Sequence, residues 1–294
     1  MNQTRGFLLT IFSACSFGFI PLFAKISYAN GFNPYTFSLF RSIFATIELY
    51  ILLKIMKVNY SIDKKNWFAL FKLSVFGYAL TILTLSLSYI YMSTGLATTI
   101  HFIYPVVVMV GSTLFYHEKV DRKKIISLGL SLIGIYFLVG RGFSSSTNII
   151  GILLAFISGF FYAYYILFVA HGLFKKMNSY VLVFYISLFN SVTLFLIGLF
   201  MGKLEYNFTG QGIISTILVA LIANLFGMVA FKSGLKYISA ISAAIISTFE
   251  PITSLIIGMI IFQEIITLNH ITGSIFIIAS VLIISFKKKE KILA

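Results

Sequence analysis

The sequence predicts an all-α integral membrane protein with ten transmembrane helices, arranged as two inverted five-helix repeats. Three observations lead to this prediction: a composition too apolar for a soluble protein, ten apolar stretches long enough to cross a bilayer, and a pattern that recurs along the chain.

The composition separates this chain from soluble proteins. Its 294 residues are 59% hydrophobic and 10% charged, whereas a soluble domain is about 45–50% apolar and about 25% charged. The net charge of +14 would suggest nucleic acid as the partner of a soluble protein. Here the basic residues lie in short loops between apolar runs, so we expect no nucleic-acid binding.

A transmembrane helix needs about 20 predominantly apolar residues, and ten stretches meet this requirement. The predicted spans are Gly6–Ser27, Tyr35–Met56, Trp67–Tyr91, Thr94–Tyr116, Lys123–Gly140, Ile149–His171, Ser179–Met201, Gly210–Phe231, Ser239–Phe262 and Thr267–Phe286. The connections are short and leave no room for a soluble domain. The first stretch is long enough to cross the bilayer, so we expect a retained helix rather than a cleaved signal peptide.

The positive charges predict the orientation. With a cytoplasmic N-terminus, all but four of the 22 lysines and arginines lie in cytoplasmic loops or at cytoplasmic helix ends. The four on the outer side are Lys25, Arg41, Arg141 and Lys203. Because cytoplasmic loops carry the excess of basic residues, we expect both termini to be cytoplasmic in a bacterial-type cell membrane.

An internal repeat is visible around two prolines. Pro105 and Pro251 are each followed 13 residues later by a glutamate, Glu118 and Glu264, and each is preceded 14 residues earlier by a tyrosine. The pattern therefore recurs after about 146 residues.

Each repeat holds five spans. The first repeat covers 6–140, the second covers 149–286, and a basic cytoplasmic tail follows at 287–294. Because five is an odd number, the second repeat enters the membrane upside down relative to the first. Several secondary transporters use such inverted repeats for alternating access.

At these blocks the chain resembles the drug/metabolite transporter superfamily, in its ten-span branch with two EamA-type domains. The resemblance rests on the segment from Tyr237 to Glu264, "YISAISAAIISTFEPITSLIIGMIIFQE", where a run of small residues leads into Glu-Pro and ends on a glutamate. Thr99–Glu118 is similar to the matching element of the first repeat, and Arg41 in "LFRSIFATIELY" is similar to an Arg-Phe element of the family.

The chain departs from the family at two positions. Phe17-Gly18 and Tyr162-Ala163 stand where the family often has Trp-Gly and Trp-Ala. The resemblance implies that spans 1 to 4 and 6 to 9 enclose a central cavity and that spans 5 and 10 lie at the periphery.

Glu250 is a candidate for binding substrate or a proton. It lies near the middle of the ninth span, where an ionised carboxylate costs about 2.5–3.5 kcal/mol. Pro251 removes a backbone donor and frees a carbonyl one turn earlier, which predicts a helix opened locally around polar groups. The alternative, weighed evenly, is that Glu250 only caps backbone donors in a packed kink.

His101 and Tyr104 are candidates in the fourth span. His101 lies one turn before Pro105 on the same helix face and could relay protons or bind a carboxylate. A neutral histidine bonded to a neighbouring carbonyl is the slightly favoured alternative. Tyr104 is the repeat counterpart of Glu250, so we expect it on the opposing wall, and Tyr162 is a further candidate for the cavity.

Arg41 and Glu48 lie seven residues apart on one face of the second span. They could form a gate, but we favour a structural link to another helix. Near the outer end of the first span, Pro21 predicts a kink and Lys25 is expected to extend towards the interface.

No nucleotide-binding, serine-hydrolase or zinc-protease motif is present in the sequence, and a single cysteine, Cys15, excludes an internal disulfide. We therefore expect no cofactor, no metal and no enzymatic activity. The pattern favours a secondary transporter of a small polar metabolite, such as an amino acid, acting as a monomer or homodimer in the lipid bilayer. The alternatives are a membrane enzyme or lipid-handling protein using His101 and Glu250 as acid and base, and a non-transporting scaffold.

The orientation can be tested by labelling cysteines introduced at Lys64 and at Ser145 in a background without Cys15. A membrane-impermeant thiol reagent added to intact cells should label position 145 and spare position 64, because the basic loops stay inside. Labelling of position 64 from outside would contradict the predicted topology.

Overall fold

The computed structural model describes residues 2–139, 148–263 and 267–285, and these residues form helices and turns without any strand. Ten helices, here α1 to α10, follow one another as Gln3–Ala29, Pro34–Ile55, Lys64–Tyr91, Thr94–Tyr116, Arg122–Val139, Ile149–His171, Ser179–Phe200, Gly210–Gly234, Ala240–Ile261 and Leu268–Ser285. The predicted class, an all-α membrane protein of ten helices in two repeats, is confirmed. Glu264, Arg141 and the basic tail lie outside the described residues.

Among the described helices, nine are long and apolar enough to cross a membrane. The tenth is α5, whose first three residues, Arg122, Lys123 and Lys124, are basic. Long basic side chains at a helix end can extend to the interface while their stems stay in apolar surroundings. The charges at the start of α5 are therefore compatible with a membrane span.

The helices alternate between two faces of the bundle. We call the face where α1 begins and α10 ends the terminal face, and the opposite one the distal face. At the terminal face Nζ of Lys232 donates to the carbonyl of Lys175 at 2.8 Å. At the distal face the α1–α2 and α7–α8 turns meet, where Nδ2 of Asn33 donates to the carbonyl of Lys203 at 2.8 Å.

Three of the helices are broken near their middle, and each continues with a segment that has proline as its second residue. These segments are Ile20–Ala29 in α1, Tyr104–Tyr116 in α4 and Glu250–Phe262 in α9. A proline cannot donate to the carbonyl four residues earlier, so each break leaves backbone acceptors without their usual partners. Pro21, Pro105 and Pro251 therefore lie beside openings in their helices.

Other local features also recur at the repeat distance. The π-helical segments Leu73–Ala79 in α3 and Ala220–Met228 in α8 occupy equivalent positions. The helices α4 and α9 each end on a residue with left-handed backbone, His117 at φ 52° and Gln263 at φ 53°. Two halves of different sequence thus use the same local geometry.

The packing also follows the repeat. The helix α3 packs on α6, and its counterpart α8 packs on α1, while α5 and α10 pack on each other. Their contact is close because a Cβ added at Gly134 would lie 2.7 Å from the carbonyl oxygen of Gly273. On the same contact Oγ of Ser280 donates to the carbonyl of Ser127 at 2.6 Å.

The α5–α10 contact can be tested with a pair of glycine substitutions on α5. Gly134→Ala should destabilise the protein by about 1–3 kcal/mol, because the added carbon meets backbone atoms that cannot move aside. Gly129→Ala, where a Cβ would meet no atom within 4 Å, should be neutral or stabilise the helix by about 0.5–1 kcal/mol. Thermal unfolding in detergent measures both, and equal melting temperatures for the two variants would contradict this packing.

Candidate functional site

A small cavity lies in the middle of the bundle, between helices of both repeats. We call it the central cavity, and its volume is about 50 Å³. Its polar and aromatic lining includes Arg41 of α2, Tyr78 and Tyr89 of α3, His101 of α4, Tyr162 of α6 and Glu250 of α9. Four residues singled out from the sequence, namely Arg41, His101, Tyr162 and Glu250, therefore lie around one space.

Arg41 connects the two repeats. Its side chain is buried; its Nε donates to Oδ1 of Asn224 at 2.7 Å, and an Nη atom donates to the hydroxyl of Tyr78 at 3.4 Å. Tyr78 and Asn224 are 146 residues apart, and each lies in the π-helical segment of its repeat. One guanidinium thus joins equivalent positions of the two halves.

Arg41 and Glu250 line the same cavity without forming an ion pair. In the described part of the chain, ion pairs within 4.0 Å occur at Asp63 and Glu118 and not between these two residues. Glu250 begins the second segment of α9, where the positive end of the helix dipole favours a carboxylate. Both side chains therefore keep part of their hydrogen-bonding capacity for another molecule.

The His101 ring is held by α6. Its Nδ1 lies 2.8 Å from Oγ of Ser158, and that hydroxyl donates to the carbonyl of Ala155 at 2.6 Å. A serine has one proton to donate, so Ser158 must accept from His101, which places a proton on Nδ1. In the neutral ring, Nε2 then remains as an acceptor.

Aromatic side chains close the cavity towards the terminal face. The rings of Tyr104 and Tyr162 are 4.8 Å apart, and His101 packs on both of them. Tyr165 stacks on Tyr162, and Phe231 packs against the same ring. Within the described residues, the buried hydroxyls of Tyr162 and Tyr165 have no hydrogen-bond partner.

Glu48 is the candidate that the structure leaves outside this group. It does not line the central cavity, and its buried Oε2 has no hydrogen-bond partner among the described residues. Arg41 is linked to α3 and α8 rather than to Glu48. Tyr104 supports the cavity from behind by packing on His101 and Tyr162.

A larger space lies next to the central cavity on its distal side. This distal chamber has a volume of about 320 Å³ and is lined by α1, α4, α5, α9, α10 and the turn before α4. Consecutive residues separate the two spaces, with Glu250 facing the cavity and Pro251 facing the chamber. At the same boundary the hydroxyls of Tyr89 and Thr98 are 3.5 Å apart.

Sequence reasoning missed several of these features. Asn224 stands alone in an apolar run, which was the available indication that it is a buried partner. Lys25 and His270 line the distal chamber, although Lys25 was interpreted only as an interfacial residue. The helices α5 and α10, expected at the periphery, also contribute Ile135 and His270 to the chamber wall.

Ten membrane-crossing helices, repeated broken segments and a polar cavity between the halves define a multi-pass membrane protein of the transporter type. The model of the EamA-like transporter family matches residues 4–140 and 149–286. The chain belongs to this family, as the sequence blocks around the two prolines indicated.

Relatives with the same repeats occur in archaea and cyanobacteria. Two uncharacterized transporters of Archaeoglobus fulgidus are 25% and 29% identical over 74% and 64% of this chain, and over 77% and 66% of their own lengths. An uncharacterized transporter of Synechocystis is 26% identical over 71% of this chain and 63% of its own. A crystal structure that is 11% identical superposes with a TM-score of 0.81 over 95% of this chain and 96% of the other, which supports the fold.

A double-mutant cycle tests the Arg41 link. Arg41→Met and Asn224→Leu should each destabilise the protein, and together they should cost less than the sum, with a coupling of about 0.5–2 kcal/mol. Arg41→Met with Ser280→Ala, on the α5–α10 contact, should be additive. Thermal unfolding in detergent measures the cycle, and additive effects at Arg41 and Asn224 would contradict the link.

Proposed function

We propose that this protein is a secondary transporter that carries a small zwitterionic metabolite, of the amino-acid type, across the cytoplasmic membrane by alternating access. The observation that carries the proposal is a cation and a carboxylate, Arg41 and Glu250, that face one central cavity without forming an ion pair. The acid–base enzyme is the weaker alternative, because the family and the named relatives are transporters.

The chemistry of the lining favours a zwitterion. The guanidinium N–H groups that Arg41 does not spend on Asn224 and Tyr78 suit a carboxylate. The Glu250 carboxylate suits an ammonium group, and the Tyr162 hydroxyl can serve other polar atoms. An anion would be repelled by Glu250 and a cation by Arg41, so this arrangement selects molecules that carry both charges.

The shape of the site supports alternating access. Sites for small molecules usually measure about 300–1,000 Å³, so a cavity of about 50 Å³ must expand before it holds a metabolite. The breaks beside Pro21 and Pro251 allow the distal segments of α1 and α9 to move separately from their other halves. Such movement would merge the central cavity with the distal chamber while the aromatic rings keep the terminal side closed.

The orientation follows from the charges. We assign the terminal face to the cytoplasm because it carries most of the basic residues, and the distal face to the outside. The distal chamber is then the outward path to the cavity.

A flux screen in proteoliposomes tests the substrate class. Radiolabelled zwitterionic, anionic, cationic and neutral metabolites should be compared with and without a pH gradient, and with protein-free vesicles as the control. Zwitterions should show the fastest protein-dependent flux. Flux restricted to neutral solutes, or no protein-dependent flux, would contradict the proposal.

Glu250→Gln and Glu48→Gln form a matched pair for the best substrate of that screen. Glu250→Gln keeps the shape of the side chain but removes its charge, so flux should fall at least about tenfold if one charge-assisted hydrogen bond of about 1.5–3 kcal/mol is lost. The flux of the wild-type protein should depend on pH, and that of the Gln variant should not. Glu48→Gln, outside the cavity, should keep near-normal flux.

Both variants should be purified as a single species before the flux is measured, so that a folding defect is recognised. Equal flux and identical pH profiles for wild type and Glu250→Gln would leave Glu250 as a structural residue. Loss of flux in Glu48→Gln alone would move the site to α2.

A further inference from the structure

The distal chamber has a chemical character of its own. Two basic side chains, Lys25 of α1 and His270 of α10, face it together with a set of hydroxyls, namely those of Ser93, Thr94, Thr98, Thr99 and Ser254. No carboxylate is found among its lining residues within the described ranges. Its volume of about 320 Å³ is in the range of small-molecule sites, about 300–1,000 Å³.

The His270 ring is fixed so that it can donate into this space. Its Nδ1 accepts the backbone N–H of Thr267 at 3.3 Å, and the backbone N–H of His270 donates to the Thr267 hydroxyl at 3.4 Å. Because Nδ1 is an acceptor, the neutral ring carries its proton on Nε2. The chamber is thus supplied with an imidazole N–H and the ammonium group of Lys25.

The repeat shows what such a pair does on the opposite face. The residues equivalent to Lys25 and His270, at the repeat distance of 146, are His171 and Lys124. There Nζ of Lys124 lies 2.9 Å and Nε2 of His171 lies 3.4 Å from the two oxygens of Glu118. A lysine and a histidine, one from each helix of an equivalent pair, therefore already hold a carboxylate at the terminal face.

We propose that the distal chamber is a second binding site, which holds the carboxylate of the metabolite between Lys25 and His270 on its way to or from the central cavity. Its identity as a station for the substrate rests on the proposed transport function. The hydroxyls of Thr98 and Ser254 would bind the remaining polar atoms. The boundary at Tyr89 and Thr98 would then separate two successive sites.

Charged thiol reagents test this site without knowledge of the substrate. Ser254→Cys is placed in a Cys15→Ala background, and the purified protein in detergent is modified with methanethiosulfonate ethylsulfonate, an anion, or with the ethyltrimethylammonium analogue, a cation. Gln211→Cys, exposed at the distal end of α8, is the matched control. The ratio of the anionic to the cationic modification rate should be higher at position 254 than at position 211.

Replacing the cations should remove this preference. Lys25→Gln should lower the rate ratio at position 254 by about two- to thirtyfold, the range expected for one charge at some 8 Å between water-like and protein-like screening. His270→Gln should lower the protection that excess acetate, but not acetamide, gives against modification. Neither variant should change the ratio at position 211.

Equal rate ratios at positions 254 and 211, or no effect of Lys25→Gln, would overturn the proposal. Such a result would mean that the chain's own carboxylates balance the charge of the pair. Glu264, the repeat counterpart of Glu118, lies outside the described residues and would be the first to replace. Because labelling needs no flux, loss of the labelling preference with normal flux removes only the second site, whereas a normal preference without flux removes only the transport proposal.

Discussion

The buried guanidinium of Arg41 is the constraint on which the centre of this bundle depends. An ionised group at membrane depth is expensive unless protein groups replace its water, and here the replacements come from both repeats, as Asn224 and Tyr78. Each partner lies in a π-helical segment, a local widening that is frequent at functional sites. The two widened segments thus place polar groups where a regular helix would carry them past the cation. Arg41 in turn fixes how α2, α3 and α8 meet beside the central cavity.

The two halves share a scaffold but differ in chemistry at its centre. Breaks before Pro105 and Pro251, the π-helical segments and the left-handed helix ends all recur after 146 residues. At equivalent positions beside the breaks, however, Glu250 corresponds to Tyr104, and Ser247 corresponds to His101. The repeat therefore provides a pair of similar conformational units, while the unlike residues decide what binds between them. A symmetric cavity would bind symmetric ligands, and this one presents a carboxylate on α9 and aromatic and imidazole rings on α4 and α6.

The sequence was sufficient for much of this picture because lipid imposes simple rules. Hydropathy and the spacing of charges located the ten spans, and the two Pro-Glu blocks revealed the repeat and the family. Glu250 and His101 could be chosen because polar side chains are costly at their depth. The partners of Arg41 could not be predicted, since Asn224 lies 183 residues away in the chain and only tertiary packing brings it near. The distal chamber escaped for the same reason: Lys25 and His270 look like ordinary interfacial residues until α1 and α10 are seen to face one space.

The central claim is that the two faces open in turn around a cavity held by Arg41. Electron paramagnetic resonance distances between spin labels can test it with two pairs related by the repeat. Positions 91 and 261 report on the distal face, and the equivalent positions 237 and 115 report on the terminal face. On adding the transported zwitterion to protein in proteoliposomes, one distance should lengthen while the other shortens. Distances that stay fixed, or that lengthen together, would contradict alternating access.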